Sequence, residues 1–346
     1  MAFPTLTSNA VLKSLYNMAV VQTAFTPELD VDDFVRKFRV DGNMYGDTKA
    51  YISADVLKSV AWTQDSTDAC NVLATHRPLL DEQVIVMDKF RQIALTLDEI
   101  TSKLAFTDEG SFAQVNAVLL SMLQGTKQVY DYATLATFIG LEKSTVGKQS
   151  QTVASGATAQ TIAQKVADVL VDMKRPNRDY NDWQNMRAYG TDKLMVVWNS
   201  DYVNKIKKLD LPTIFNADMV DIVKGDVLPA CYFGTINTAQ KTGDAAGTIR
   251  YLEETTVGTG VNAKEYFPGD AVPNGTSVAA NKSYTVDPKV ICKIIGKGGV
   301  PYMSGFEVST SFHNARNLST NYYLTFGHNS LAHLKDKAFV TISEEA

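Results

Sequence analysis

Cysteine is scarce in this chain of 346 residues: there are three, Cys70, Cys231 and Cys292, far apart in the sequence. An odd number without a CxxC pair excludes a disulfide framework, so we expect reduced, structural thiols. No apolar run reaches the length of about 18 residues that a membrane-spanning helix needs. The first residues show neither the basic nor the apolar segment of a signal peptide, so we expect synthesis in the cytoplasm and no membrane contact.

A surplus of basic residues is also missing. The chain carries 33 Lys and Arg against 38 Asp and Glu, a formal net charge of −5. A protein whose main task is to coat nucleic acid normally carries a basic excess. Any contact with DNA or RNA is therefore expected to be local or weak.

The residue patterns of common catalytic centres are absent too. The histidines form neither an HExxH motif nor a cluster with cysteines, which argues against a metal site. No Gly-x-Ser-x-Gly elbow offers a serine nucleophile. The segment from Gly140 to Lys148 has too many residues between its glycines for a phosphate-binding loop, and Gln149 follows the lysine. We expect no enzyme, cofactor or metal; an enzyme site hidden around Trp198 is the alternative from that class.

The most informative segment that is present is an extended, turn-rich stretch from about Phe34 to Ile100. Charged and apolar residues alternate from Phe34 to Val40 and again from Gln83 to Ile93, with Gly, Asn and Asp between the two runs. This period of two, bounded by turn residues, predicts strands joined by turns. Such strands bury little on their own, and an isolated hairpin is marginally stable in water. We therefore expect this element to be stabilised by another chain.

A long amphipathic helix is predicted next, from Glu109 to Ile139, because apolar residues recur there at helical spacings. Gly140 is suited to ending it. The remaining pattern predicts an α/β layer followed by loops and aromatic strands, and so an α+β fold. The predicted elements are a helix at Thr158–Met173, a strand at Lys193–Trp198, a helix after Asn199, strands at Val227–Phe233 and Lys289–Ile295, loops and hairpins at 234–275, a polar turn around His313, and a last strand at Ala338–Ile342.

One glycine-rich motif has two interpretations. Gly296-Lys297-Gly298-Gly299 is similar to the loop that joins two helices in KH RNA-binding domains. Here a strand-like run precedes it, and Pro301 disfavours a helix after it. The context predicts a turn at the end of a strand, and a KH-like RNA-binding module is kept as an alternative of a different class.

Two stretches carry a resemblance to a known family. They are Arg39–Gly42 with Gly46–Tyr51, His76–Pro78 and Val84–Asp88, which lead into the long helix, and Gly299–Glu307 with Asn314–Tyr323 near the end. In these motifs and in the order of its elements the chain resembles the major capsid proteins of tailed bacteriophages, most of all those of short-tailed phages. Encapsulin shells share that fold, so an encapsulin-type compartment around a cargo protein is the nearest alternative.

The resemblance implies the architecture of a tailed-phage major capsid protein. Its parts would be an N-terminal arm (1–35), an E-loop hairpin (36–95), a peripheral domain with a long spine helix (96–150), an axial domain (151–300) and carboxy-terminal strands that complete the sheets (301–346). The resemblance also implies self-assembly into the pentamers and hexamers of an icosahedral head that encloses double-stranded DNA in the virion.

The partners implied by the resemblance are mainly other copies of the chain. A separate scaffolding protein, a portal, decoration or head-fibre proteins, and weak non-specific contact with packaged DNA complete the expectation. The contacts between subunits are expected on the E-loop. The candidate residues are Arg36, Phe38, Arg39, Tyr45 and Lys49 on its outgoing side, and Lys89 and Arg91 on its return strand.

Overall fold

The computed structural model of the protein describes residues 32–41, 48–57, 59, 77–98, 109–206, 225–259 and 263–345. Its helices are α1 Asp32–Arg36, α2 Glu109–Leu141, α3 Ala159–Lys174 and α4 Ser200–Ile206. Its strands are β1 Arg39–Asp41, β2 Thr48–Ala54, β3 Leu80–Asp98, β4 Ser150–Val153, β5 Leu194–Asn199, β6 Asp226–Leu228, β7 Gly234–Ile236, β8 Lys241–Thr242, β9 Ile249–Tyr251, β10 Thr255–Val257, β11 Lys264–Tyr266, β12 Ser277–Val278, β13 Ser283–Val286, β14 Val290–Gly296, β15 Tyr302–Asn314, β16 Ser319–Asn329 and β17 Phe339–Glu344.

Two five-stranded sheets organise the chain. The central sheet has the order β4-β17-β14-β5-β6, and the long sheet has the order β1-β15-β16-β3-β2. All residues of β14 are buried, which explains why the strand is apolar apart from Lys293. Helix α3 packs on one face of the central sheet against Val196 and Ile294, and the end of α2 packs on the other face against Val197 and Ile295. The core therefore lies on both faces of this sheet.

A small β unit is inserted between the central strands. Residues 234–286 form short sheets β7-β13-β9, β10-β11 and β12-β8 around their own core of Ile249, Tyr251, Val272 and Val278. The glycines and prolines of this region thus mark short hairpins, as the sequence predicts. The α+β class is confirmed.

Most of the predicted elements are confirmed. Helix α2 runs two residues beyond the predicted end at Ile139, and β3 contains the whole predicted strand Gln83–Ile93. The hydroxyl of Thr158 caps α3 by accepting a hydrogen bond of 3.3 Å from the amide of Thr161. Among the described residues, no helix is both long enough and apolar enough to cross a membrane.

Three local expectations are wrong. Phe34 to Arg36 belongs to helix α1, because its apolar side chains pack on α2 instead of alternating across a sheet. The strand predicted up to Phe233 ends at Leu228, because Pro229 lacks the amide that a continued strand needs. His313 lies in β15 opposite Thr320, not in a turn.

The turn predicted at Gly296–Gly299 is confirmed. These glycines join strands β14 and β15, with Gly298 at φ +69°, and not two helices as the KH alternative requires.

Truncation of Ile139 should test how far α2 depends on the central sheet. Its side chain is fully buried beside Leu135, Val197 and Phe339, so Ile139→Ala leaves a cavity. We expect the free energy of unfolding to fall by about 2–5 kcal/mol in urea titrations. Val171 on α3 is exposed, and Val171→Ala is the control that should change it little. Equal losses in the two variants would contradict the packing described here.

Candidate subunit interface

The hairpin formed by β2 and β3 presents an apolar face to solvent. The two strands pair from Thr48 with Val86 to Ala54 with Leu80. We call the exposed side the hairpin face; its residues are Thr48, Ala50, Ile52, Ala54, Leu80, Glu82, Val84 and Val86. Ile52 is 69% exposed and Leu80 60%, and Glu82 is the one charged residue of this face. Apolar surface of this kind, exposed on a single subunit, is typical of a protein–protein contact.

The opposite side of the hairpin is docked on the chain's own body. The hydroxyl of Ser53 donates to Asp336 Oδ1 at 2.7 Å, and Arg187 Nη2 donates to Ser53 Oγ at 2.6 Å. The Arg187 guanidinium also bonds Asp336, at 2.9 Å. Polar contacts within the chain therefore hold one face of the hairpin, and the expectation that another chain stabilises the hairpin stays a prediction for the exposed face.

A second contact fixes the hairpin along its return strand. Gln83 Nε2 donates to the backbone oxygen of His333 at 2.9 Å, and Gln83 Oε1 accepts from the amide of Lys335 at 2.9 Å. One side-chain amide thus satisfies two backbone groups of the segment before β17. Asn185 Nδ2 adds a bond of 3.2 Å to Asp81. The position of the hairpin is coupled to the segment from His333 to Lys337.

The long sheet has a second exposed surface, which we call the sheet face. Its neighbouring rows across β15, β16 and β3 are Phe306–Gly327–Phe90, Val308–Thr325–Gln92, Thr310–Tyr323–Ala94 and Phe312–Asn321–Thr96. None of these residues is charged. The rings of Phe90 and Phe306 stack at 5.9 Å across Gly327, and Phe312 is 63% exposed. A neutral, aromatic face of this length suits a contact with another protein surface.

The other side of the same strands is anchored to α2 by buried polar groups. Tyr302 donates a hydrogen bond of 2.5 Å to Asp131, and Lys127 lies 3.5 Å from Asp131 and 3.0 Å from Glu307 on β15. Burial raises the pKa of Asp131 although Tyr302 and Lys127 oppose that shift. Tyr130 bonds His328 at 2.8 Å. These contacts give the sheet face a rigid support.

A third polar cluster joins the end of α2 to the central sheet. His333 lies 2.6 Å from Glu142 Oε1 through Nδ1 and 2.7 Å from Asp182 Oδ2 through Nε2. Ser144 and Gln149 both donate to the other oxygen of Asp182, at 2.6 and 2.7 Å. Burial opposes the charged form of His333, but its bonds to Asp182 and Glu142 outweigh burial and raise its pKa to about 9.

Buried Lys293 caps the same helix end from the central sheet. Its ammonium donates to the backbone oxygen of Glu142 at 2.6 Å and to Thr341 Oγ1 at 2.9 Å. Helix α2 has no basic residue in its own last turn, so Lys293 supplies the charge that a helix C-terminus favours. Complete burial lowers the pKa of Lys293 to about 7.

The predicted contact residues before the hairpin lie apart from its exposed face. Arg36 is an exposed residue at the end of α1, and Arg39 is exposed at the start of β1, opposite Tyr302. Phe38 is 1% exposed and packs 5.2 Å from the ring of Phe34. Its assignment to a subunit contact is corrected: the side chain belongs to the core between α1 and α2.

The predicted residues on the hairpin have different surroundings. Tyr45 lies outside the described residues. Lys49 is partly buried, on the docked side of β2, with its ammonium 5.7 Å from the centre of the Tyr51 ring. Lys89 is exposed, whereas Arg91 forms an ion pair of 3.3 Å with Glu254 and lies 5.6 Å over the ring of Tyr130. Arg91 therefore joins β3 to the small β unit within one subunit, and a contact role for Lys49 and Lys89 stays a prediction.

Most of the residues predicted from the sequence are charged, and the exposed apolar residues of the hairpin face are not among them. One signal was present: Val84-Ile85-Val86-Met87 is apolar at odd and even positions alike. In the structure Ile85 and Met87 are buried while Val84 and Val86 are exposed. A strand that is apolar on both faces predicts burial on both, and here the subunit covers only one. Among the described residues, no group of His, Cys, Asp or Glu could hold a metal ion.

Comparison with known proteins gives one family and many similar folds. The family model of the Phi29-like phage major capsid protein matches residues 2–337.

The capsid structure of Staphylococcus phage Andhra has a TM-score of 0.66 at 9% identity, over 94% of this chain and 88% of that chain. A structure of the head fiber and inner core protein gp22 of native bacteriophage P68 has a TM-score of 0.64 at 9% identity, with the same two coverages. The capsid of Cyanophage P-SCSP1u follows with a TM-score of 0.51, 12% identity, and coverage of 94% and 90%. The search of curated proteins finds no match. At these identities the structural likeness shows the fold.

Proposed function

The chain belongs to the family of Phi29-like phage major capsid proteins, and from this premise we propose that its two exposed apolar faces hold copies of it together in a closed head. It is a structural subunit of a phage head and is located in the virion. We propose that copies assemble into pentamers and hexamers of an icosahedral shell around double-stranded DNA. The observation that carries the proposal is the largely apolar hairpin face on a strand pair whose other side is already fixed.

We propose a separate role in assembly for each exposed surface and for the predicted contact residues. The hairpin corresponds to the E-loop of the family, and we propose that its face covers a neighbouring subunit, with the sheet face as one of the surfaces that receives a neighbour. Arg36, Arg39 and Lys89, which are exposed, are proposed to flank these contacts, and Lys49 to orient the hairpin. Burying such apolar faces between subunits would stabilise each hairpin at about 25 cal/mol per Å² of apolar surface.

The proposed partners extend beyond the chain itself. We propose a separate scaffolding protein during assembly, a portal at one vertex, and decoration or head-fibre proteins on the finished shell. The chain is proposed to catalyse no reaction. An encapsulin-type compartment is the second candidate within this fold, and the match to a phage capsid family favours the head.

Replacement of residues 48–86 by a short Gly-Ser linker tests the role of the hairpin. This change removes the paired residues that form the hairpin face and keeps β3 from Met87 onward, where it pairs with β16. We expect a folded, soluble subunit that builds no closed shells. The measurement is electron microscopy of particles formed by the full chain in cells that supply the other head proteins, together with the urea unfolding midpoint of the purified subunit.

A linker of the same type in place of residues 259–263, between β10 and β11, is the matched control and should leave assembly intact. Intact heads from the 48–86 variant would overturn the proposed role of the hairpin. A wild-type chain that stays monomeric in those cells would overturn the proposed assembly as a whole.

A further inference from the structure

Three lysines from separate parts of the chain meet at one end of the central sheet. The amide of Lys297 donates to the backbone oxygen of Lys193 at 2.8 Å, which brings the turn after β14 against the start of β5. A Cβ placed on Gly299 would lie 3.3 Å from Cβ of Lys337, so the segment before β17 lies directly on the same turn. Lys193 and Lys297 are exposed and Lys337 is partly exposed. We call these residues the lysine cluster.

The carboxylates of the adjoining segments are already bound to other groups. Asp336 is paired with Arg187 at 2.9 Å, and Asp182 with His333 at 2.7 Å. Exposed Asp192 is the one nearby acid that no hydrogen bond or ion pair engages among the described residues. Likewise, within that part of the chain, none of the three lysines forms an ion pair. The cluster therefore keeps a local positive charge that the subunit does not neutralise.

The positive charge of the lysine cluster is opposite in sign to the formal net charge of the whole chain, which is −5. Three lysines whose backbones lie together and which form no ion pair suit a negatively charged partner. Lysine is a flexible point charge, which fits phosphate oxygens spaced along a backbone without requiring a fixed geometry. The glycine turn between Gly296 and Gly299 adds no side-chain bulk beyond Lys297 itself, so a rod-like polyanion can approach closely.

We propose that the lysine cluster contacts the phosphate backbone of the double-stranded DNA that the head encloses. This inference rests on the proposed function, in which the chain encloses DNA, and names the residues that touch it. The contact is non-specific in sequence, because ammonium groups on phosphates read no base edges. A few contacts per subunit, repeated over many subunits, would bind DNA weakly to a shell whose subunits carry a net negative charge.

The test is the triple variant K193Q/K297Q/K337Q of the full chain. The matched control is K143Q/K148Q/K282Q, which removes the same charge from lysines already paired with Asp287, Asp172 and Glu253. Binding of a DNA duplex of about 30 base pairs, roughly three helical turns, is measured by fluorescence anisotropy over a range of salt concentrations. The slope of log affinity against log salt should become shallower by about 2.7 in the cluster variant, about 0.9 for each lysine, and should stay unchanged in the control.

Electron microscopy of particles separates this inference from the proposed function. Normal shells with the reduced salt slope support it. An unchanged slope overturns it, and so does equal loss in the control variant, which would show a general effect of net charge. If the cluster variant builds no shells although the subunit is folded, the lysines face a neighbouring subunit and the DNA contact is wrong. Tighter binding of polyglutamate than of the duplex would assign the cluster to an acidic protein and also overturn the proposal.

Discussion

Replacing Val84 and Val86 together by aspartate should abolish shell assembly and leave the subunit folded. Both side chains lie on the hairpin face, 52% and 45% exposed, so the subunit alone tolerates charge there. In an assembled contact the new carboxylates would be buried without partners beside Glu82. An unpaired buried charge costs several kcal/mol. Since about 1.4 kcal/mol is a factor of ten, we expect particle yield to fall at least about a hundredfold in sedimentation through sucrose.

The control for this result is a second pair of exposed valines. Val171 on α3 and Val227 on β6 are 55% and 47% exposed, so V171D/V227D adds the same charge outside the hairpin face. Shells should still form from this variant, and urea titrations should show both proteins folded. Normal shells from V84D/V86D would remove the hairpin face from the contact surface.

Elements with strong local periodicity were predictable from the sequence. Helix α2 has apolar residues at helical spacings, and strands β3 and β14 are rich in β-branched apolar residues; their observed bounds lie within a few residues of the predicted ones. Alternation over a few residues is less decisive. Phe34, Arg36 and Phe38 fit a strand by spacing, yet the first two lie in a short helix because Phe34 can pack on α2. The sequence of this short segment fits a helix and a strand about equally well, and the tertiary contact with α2 favours the helix.

The support of the hairpin was not predictable in the same way. Ser53 and Asp336 are 283 positions apart, and nothing in the residues around either one indicates a partner. A serine, a glutamine and an arginine are ordinary surface residues in a sequence, so their buried bonds become visible only once the fold brings them together. The register shift between His328 and Asn329, opposite Lys89 and Met87, was likewise not predictable, because no glycine or proline in β3 marks it.

The cluster around His333 should contribute to the stability of the subunit in a way that depends on pH. Burial disfavours the charge of Asp182, but bonds from His333, Ser144 and Gln149 outweigh burial and lower its pKa from 3.8 to about 2. The pKa of His333 rises from 6.5 to about 9. A raised pKa of a base adds stability below pH 6.5 that disappears as pH rises toward 9. A lowered pKa of an acid adds stability above pH 4, roughly, that disappears as pH falls toward 2. The contribution of this cluster to the free energy of unfolding should therefore be highest between these limits.

Asp182→Asn should lower the free energy of unfolding by about 3 kcal/mol at pH 6. The substitution leaves the protonated His333 with Glu142 as its remaining partner. It also gives Ser144 and Gln149 a poorer hydrogen-bond acceptor. The loss should shrink by pH 9, where His333 of the wild type gives up its proton as well. Urea titrations of both proteins at pH 6 and pH 9 measure this difference. Asp179→Asn is the control, since exposed Asp179 pairs with Lys148 at 3.0 Å on the surface and should contribute less than about 1 kcal/mol. A loss in Asp182→Asn that is the same at both pH values would mean that the charge on His333 is not what couples the end of α2 to the segment that holds the hairpin.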